Sequence, residues 1–173
     1  MDAREVLIDA ASRPLDSARQ VLDGIPLEVL NRMPDAEHSS IAWLLWHAAR
    51  QQDAQVAELA GAEEVWRSGG WADRFALDRP VEAMGFGDSP ADVAKVQVSD
   101  PAMLADYLQA VVAATLAYVG GLGESDLDEI VDRRWEPPVT RGVRLVSVID
   151  DAVAHVAQAQ YLRGLVARWT IGY

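Results

Sequence analysis

Four long stretches of this chain repeat apolar residues at helical spacing, and nothing between them alternates as a strand would for more than a few residues. The first runs from about Ala3 to Leu22, where Val6, Leu7, Leu15, Ala18 and Val21 share one face, and it stops at the Gly–Ile–Pro of residues 24–26. The second starts after Ser39 or Ser40, either of which can cap it, and continues to about Leu59, ahead of Gly61. The third opens with Asp100 as cap and Pro101 as its first helical residue, and ends at Gly120–Gly121. The fourth begins near Thr140, after Pro138, and extends to about Trp169. Between the second and third lies a connection of roughly residues 61–99, holding "SGGWADRF", "MGFGDSP" and a short helical piece near "ADVAKV". A loop of that length inside a compact domain carries function or small elements of its own. The pattern predicts an all-α, antiparallel four-helix bundle with one long crossover connection. A length of 173 residues fits a single domain over 1–173 with one sizeable core.

Composition removes several function classes. A formal net charge of −12 opposes a duplex phosphate surface, so no nucleic-acid partner is expected. The chain has no cysteine, which excludes disulfides, thiolate zinc clusters and a cysteine nucleophile; any thiol chemistry must come with a cosubstrate. No apolar run is read as reaching the ~18 residues of a membrane span, and the N-terminus lacks the basic-then-apolar build of a secretion signal. The expectation is a cytoplasmic protein with no membrane partner.

The fourth helix carries the chemistry-bearing residues. At 100° per residue, Leu145, Ile149, Ala152, Val156, Ala159 and Val166 form its apolar stripe, while Asp151 and His155 point about 40° apart along one border. Asp150 points about 100° away from Asp151, towards the outside. Gln158 and Leu162 continue the Asp151–His155 row, and Arg144 lies on it one heptad earlier. An acid and a histidine at (i, i+4) offer two ligands to one metal ion. On the second helix, His47 sits at the border of the stripe Ile41, Leu44, Leu45, Ala48, Gln52 and Val56, with Gln51 one turn beyond. If the two helices are neighbours, His47 meets Asp151 and His155, and two histidines with one carboxylate suit a divalent metal with open positions. Spacing alone favours a plainer reading: core-edge histidines bonded to carbonyls, with Asp151 acting as a cap or paired to an arginine such as Arg144. His38 reads as a solvated loop residue, and Asp53 as solvated or paired and turned away from the metal row. Trp43 and Trp46 make the second helix apolar nearly all round, which suggests cover from a partner subunit.

The segments "SIAWLLWHAARQQDAQVAE" and "VRLVSVIDDAVAHVAQAQYLRGL", with "VW…GGWADRF" and "RRWEPPVTRGVRLVSVIDD" between them, resemble the DinB-like superfamily, in its actinobacterial mycothiol-dependent branch. The resemblance implies a four-helix bundle, often dimeric, with a divalent ion held by His47, Asp151 and His155. Zn²⁺ is the first expectation, and Ni²⁺ or Fe²⁺ are the alternatives. Gln158 matches the family's glutamine, whereas Ala157 replaces its usual glycine and Asp151 stands where many members have histidine. The activity implied is a metal-dependent thiol S-transferase, or the related maleylpyruvate isomerase, with mycothiol as cosubstrate and an electrophilic small molecule as substrate. A non-catalytic metal-binding stress-response module and a metal-dependent hydrolase are the competing readings. Gln158 and Arg163 are the candidates for holding the cosubstrate, Arg163 through a carboxylate or else in an ordinary ion pair. Trp46, Trp66, Trp71 and Trp135 are candidate pocket walls, and a homodimer is expected.

Overall fold

A computed structural model describes residues 1–171. The long helices are α1 (Ala3–Leu22), α3 (Ile41–Ala60), α7 (Pro101–Gly120) and α8 (Arg141–Ala167). A single turn, α2 (Leu27–Asn31), links the first two, and the crossover contains α4 (Val65–Ser68), α5 (Trp71–Phe75) and α6 (Pro90–Val93). A 3₁₀ turn (Glu124–Asp128) and a two-stranded antiparallel ribbon, β1 (Ile130–Asp132) with β2 (Val139–Thr140), lead into α8.

Local chemistry explains the helix ends. The Ser40 hydroxyl accepts from the Trp43 N–H, Asp100 from Ala102 and Thr140 from Val143, each relieving a donor that the first turn leaves unpaired. Gly61 closes α3 at φ 61°, a left-handed conformation that suits a residue without a side chain. The last helix stops at Ala167, two residues short of the expected end, because Arg168 turns into the left-handed region at φ 55°.

The expected bundle forms, and pairwise contacts give its directions. Gln51 meets Val148, Gln55 meets Arg144 and Leu59 meets Arg141, so residue numbers fall on α8 as they rise on α3 and the two run antiparallel. Arg4 reaches Leu122 and Arg19 reaches Gln109, so α1 and α7 are antiparallel as well. Arg50 meets Tyr107 and Leu59 meets Tyr118, which makes α3 and α7 parallel. The crossover of residues 61–99 makes this possible by returning the chain to the end where α3 began.

One helix, α7, is long and apolar enough to cross a membrane by length and composition, contrary to the sequence expectation. Here it is a core helix. Leu104, Tyr107, Leu108, Val111, Val112 and Val119 are buried, and it packs on α1 and α3.

Candidate metal centre

Neighbouring α3 and α8 bring together the three residues that the sequence grouped. His47, Asp151 and His155 each present a ligand atom, and all lie within 4.8 Å of one another. His155 Nε2 is 3.5 Å from Asp151 Oδ1, close to the roughly 3.3 Å that separates two ligands of one tetrahedral ion. The two imidazoles meet edge to face, with centroids 4.6 Å apart and planes at 78°.

Hydrogen bonds to the far side of each ring fix its tautomer. The Met84 carbonyl lies in short contact with His47 Nδ1, so that nitrogen carries the proton and donates, leaving the Nε2 lone pair free. The Gln158 Oε1 is 3.0 Å from His155 Nδ1 and sets the same tautomer there. Asp151 Oδ2 is buried and has no hydrogen-bond partner among the described residues. Arg144, the arginine that a plainer reading would give it, pairs with Asp132 at 3.0 Å instead. Asp150 is exposed, as the helical angles require.

Two groups of opposite disposition result. Burial lowers the pKa of His47, against the raising effect of the Met84 carbonyl. Asp151 raises that of His155 through its hydrogen bond, against partial burial. In the ion-free protein His47 is therefore the neutral imidazole, and His155 is the one that shares a proton with Asp151.

The crossover straps over α3 and supplies what the sequence reading missed. Gly85, at φ 98°, lies so close to His47 that a Cβ there would sit 2.5 Å from Nδ1. Asp88 accepts from the Trp43 indole N–H at 2.8 Å and takes both Nη atoms of Arg79 at 2.6 Å. Burial pushes the Asp88 carboxyl up, and the bonds from Arg79 and Trp43 outweigh it, so it stays below the ordinary carboxylate value. The Arg79 guanidinium lies over the Trp46 ring at 4.8 Å, and Trp43 stacks on His47 at 4.7 Å. Trp43 and Trp46 are thus covered by their own chain, and the expectation that a partner subunit buries them does not hold. The signal available was "MGFGDSP", two glycines about an aromatic residue next to an acid.

Other expectations resolve as follows. Asp53 is buried rather than solvated; its carboxylate accepts from the Val65 and Trp66 N–H groups and the Tyr107 hydroxyl, with Arg50 beside it. It caps α4 from a different helix. His38 is exposed and bonded to Asp35. Arg163 is buried, donates to the Gln20 and Val21 carbonyls at the end of α1, and stacks on Trp169. That placement closes α1, so neither the expected cosubstrate carboxylate nor an ordinary ion pair describes it. Gln158 is committed to the His155 ring. Trp46 and Trp66 line a cavity of about 370 Å³ with Arg79 and Leu77, but none of the three ligand residues borders it. Trp71 packs into the cluster with Phe75 and Tyr107, and Trp135 is exposed on the β1–β2 connection.

Comparison with known proteins adds the family. The DinB superfamily matches residues 11–159. A solved structure, described as the crystal structure of the conserved protein of locus from Enterococcus faecalis, is 38% identical, covers 98% of this chain and 99% of its own, and superposes with a TM-score of 0.92. Comparison with curated proteins gave no match.

Proposed function

This chain belongs to the DinB superfamily, and from that premise we propose that it is a metal-dependent thiol S-transferase, conjugating mycothiol or a similar small thiol to an electrophilic small molecule. The observation that carries the metal half of this reading is the bare Asp151 Oδ2 beside two imidazoles whose Nδ1 atoms are held by the Met84 carbonyl and the Gln158 amide, leaving Nε2 as the ligand atom of each ring once the proton that His155 shares with Asp151 is displaced. A buried oxygen without a partner costs about 1–3 kcal/mol, and a cation is what this donor set satisfies. Two neutral nitrogens and one carboxylate suit Zn²⁺, with Ni²⁺ and Fe²⁺ as alternatives.

His47 and His155 would hold the ion through Nε2 and Asp151 through its carboxylate. When bound, a divalent ion lowers the pKa of a thiol brought to it, so that the thiolate is available at neutral pH. The chain's own groups do the rest. The Met84 carbonyl and the Gln158 amide keep both rings from rotating. Trp43, stacked on His47 and edge-on to His155 at 6.0 Å, keeps water from that side. With no cysteine in the chain, the protein offers no thiol of its own to compete for the ion or the electrophile. Mycothiol is the thiol to which the sequence resemblance points, and an electrophilic carbon is what a thiolate attacks.

The test is elemental analysis of purified wild type and of His47→Ala and Asp151→Ala, joined to a thiol-loss assay with mycothiol and a reactive electrophile. The expected result is about one Zn²⁺-class ion per chain in the wild type, lost in both variants, with thiol consumption falling in parallel. Metal without thiol loss would favour a binding module, and electrophile consumed without thiol would make the centre hydrolytic. Absence of metal from the wild type, unchanged by the substitutions, would overturn the reading.

A further inference from the structure

The crossover encloses a space that the metal centre does not use. Trp46 on α3, Trp66 on α4 and Ala72 on α5 surround it, together with Leu77, Arg79 and Pro80 of the segment that follows. Its volume of about 370 Å³ falls within the range of small-molecule sites. The walls are held from outside. Asp53 accepts from the backbone N–H groups of Val65 and Trp66, and the Trp66 indole N–H donates to the Val81 carbonyl at 3.0 Å. Phe75 and Tyr107 pack on Trp66 at 5.3 and 5.2 Å, and Trp46 meets it near edge to face at 6.4 Å. A site whose walls are fixed beforehand asks little ordering of what binds there.

Two side chains at this cavity carry unmet donors. A guanidinium offers five N–H groups in a planar fork. In Arg79, Nη1 donates to Asp88 and to the Asp92 carbonyl, and Nη2 donates once to Asp88. Nε and the second Nη2 proton form the other edge of the fork, and they make no hydrogen bond among the described residues. Arg79 borders the cavity, whereas Asp88 and Asp92 do not, so the edge they occupy is turned away and the open edge is left to the cavity. The Trp46 indole N–H is also buried without a partner among the described residues. Charge narrows the ligand further. Asp88 already balances the guanidinium, and the exposed Asp73 adds a second carboxylate at the rim. An incoming acid would meet more negative than positive charge, in a chain whose net charge is −12.

We propose that this cavity is a second ligand site, separate from the metal centre, and that it takes an uncharged aromatic amide. The ring lies among Trp46, Trp66, Leu77 and Pro80, and the carbonyl oxygen accepts from the open edge of Arg79. The amide nitrogen has the Asp73 carboxylate at the rim to donate to. Apolar walls with a few fixed polar groups are what such sites are made of. The occupant is also linked to the metal ligands. Arg79 clamps Asp88, Asp88 holds the Trp43 indole N–H, and Trp43 stacks on His47.

Benzamide is the probe, compared with benzoate, which has its shape but is an acid, and toluene, which has the ring without the acceptor. Binding to the full chain is read by magnetic resonance from the Trp46 indole N–H, assigned by its loss in Trp46→Phe. Benzamide is expected to bind in the low millimolar range, as suits so small a probe. Benzoate and toluene are each expected to bind about tenfold more weakly, the worth of one hydrogen bond. Ala72→Phe, which fills the cavity from α5, is expected to abolish binding. Arg79→Lys keeps a charge for Asp88 but lacks the second edge of the fork, and is expected to weaken benzamide about tenfold. No shift in the wild type at tens of millimolar benzamide would overturn the proposal. So would benzoate or toluene equalling benzamide, or Ala72→Phe binding as the wild type does. The comparison of the three probes needs the wild type alone, so it decides the matter even if a variant fails to fold. None of these readings depends on the ion, so failure here is distinct from failure of the metal centre.

Discussion

Gly85 and His47 are in contact across 38 residues of sequence, with the glycine backbone packed on the imidazole at a point where no side chain fits. Gly85→Ala meets both a positive φ of 98° and a Cβ 2.5 Å from Nδ1. The expected cost is about 1–3 kcal/mol in stability, with roughly a 10- to 100-fold loss of metal affinity as the Met84–His47 bond is displaced. Thermal unfolding and a chelator competition titration measure the two separately. Unchanged metal affinity would mean that the strap does not hold the ring.

Metal binding should depend on pH through His155. Asp151 raises the pKa of that histidine above the ordinary 6.5, whereas burial lowers that of His47. An ion must therefore displace a proton from His155 and none from His47. Affinity is expected to be level above the raised pKa and to fall about tenfold per pH unit below it. Asp151→Asn removes the raising carboxylate, so its affinity is weaker at high pH and begins to fall at a lower pH than in the wild type. Isothermal titration at several pH values reads both effects, and a profile governed by a group titrating well below 6.5 would exclude His155.

Removal of Asp53 should be among the most damaging single changes. It would strip the N–H groups of Val65 and Trp66 and the Tyr107 hydroxyl of their acceptor, and leave the fully buried Arg50 with Glu64 as its remaining acid. Asp53→Ala is expected to cost about 3–5 kcal/mol in urea unfolding, and Asp53→Asn less, because the amide oxygen still accepts. A loss below 1 kcal/mol would show that the network adds little.

Arg163 offers a contrast between two roles. Its partners are backbone carbonyls of α1, so Arg163→Met is expected to lower stability by about 1–3 kcal/mol and to leave KM for the thiol cosubstrate unchanged. A rise in KM with stability intact would restore the carboxylate-binding role.

Much of the centre was legible because helices convert spacing into direction. Asp151 and His155 are one turn apart, so their common row followed from the sequence once α8 was recognised, and so did the exposure of Asp150. The starts of three long helices were legible because Ser40, Asp100 and Thr140 cap through side chains. The strap was not, for a physical reason. Met84 contributes a carbonyl, which any residue offers, and the glycines of "MGFGDSP" mark a turn without saying which side chain the turn packs on. Apolarity all round Trp43 and Trp46 announced burial but not what does the burying. Arg163 was misread because a basic side chain suggests an acid, while the open end of α1 presents carbonyls to it. Asp53 caps a turn twelve residues away, beyond any local capping pattern.

Trp43 has a consequence for anyone handling the protein. Its indole is stacked on one proposed ligand and edge-on to the other, so the centre contains its own optical gauge. A paramagnetic ion such as Ni²⁺ would quench its emission at this range, and closed-shell Zn²⁺ would not. The colour and intensity of the protein's own light could then distinguish the loaded forms without a label.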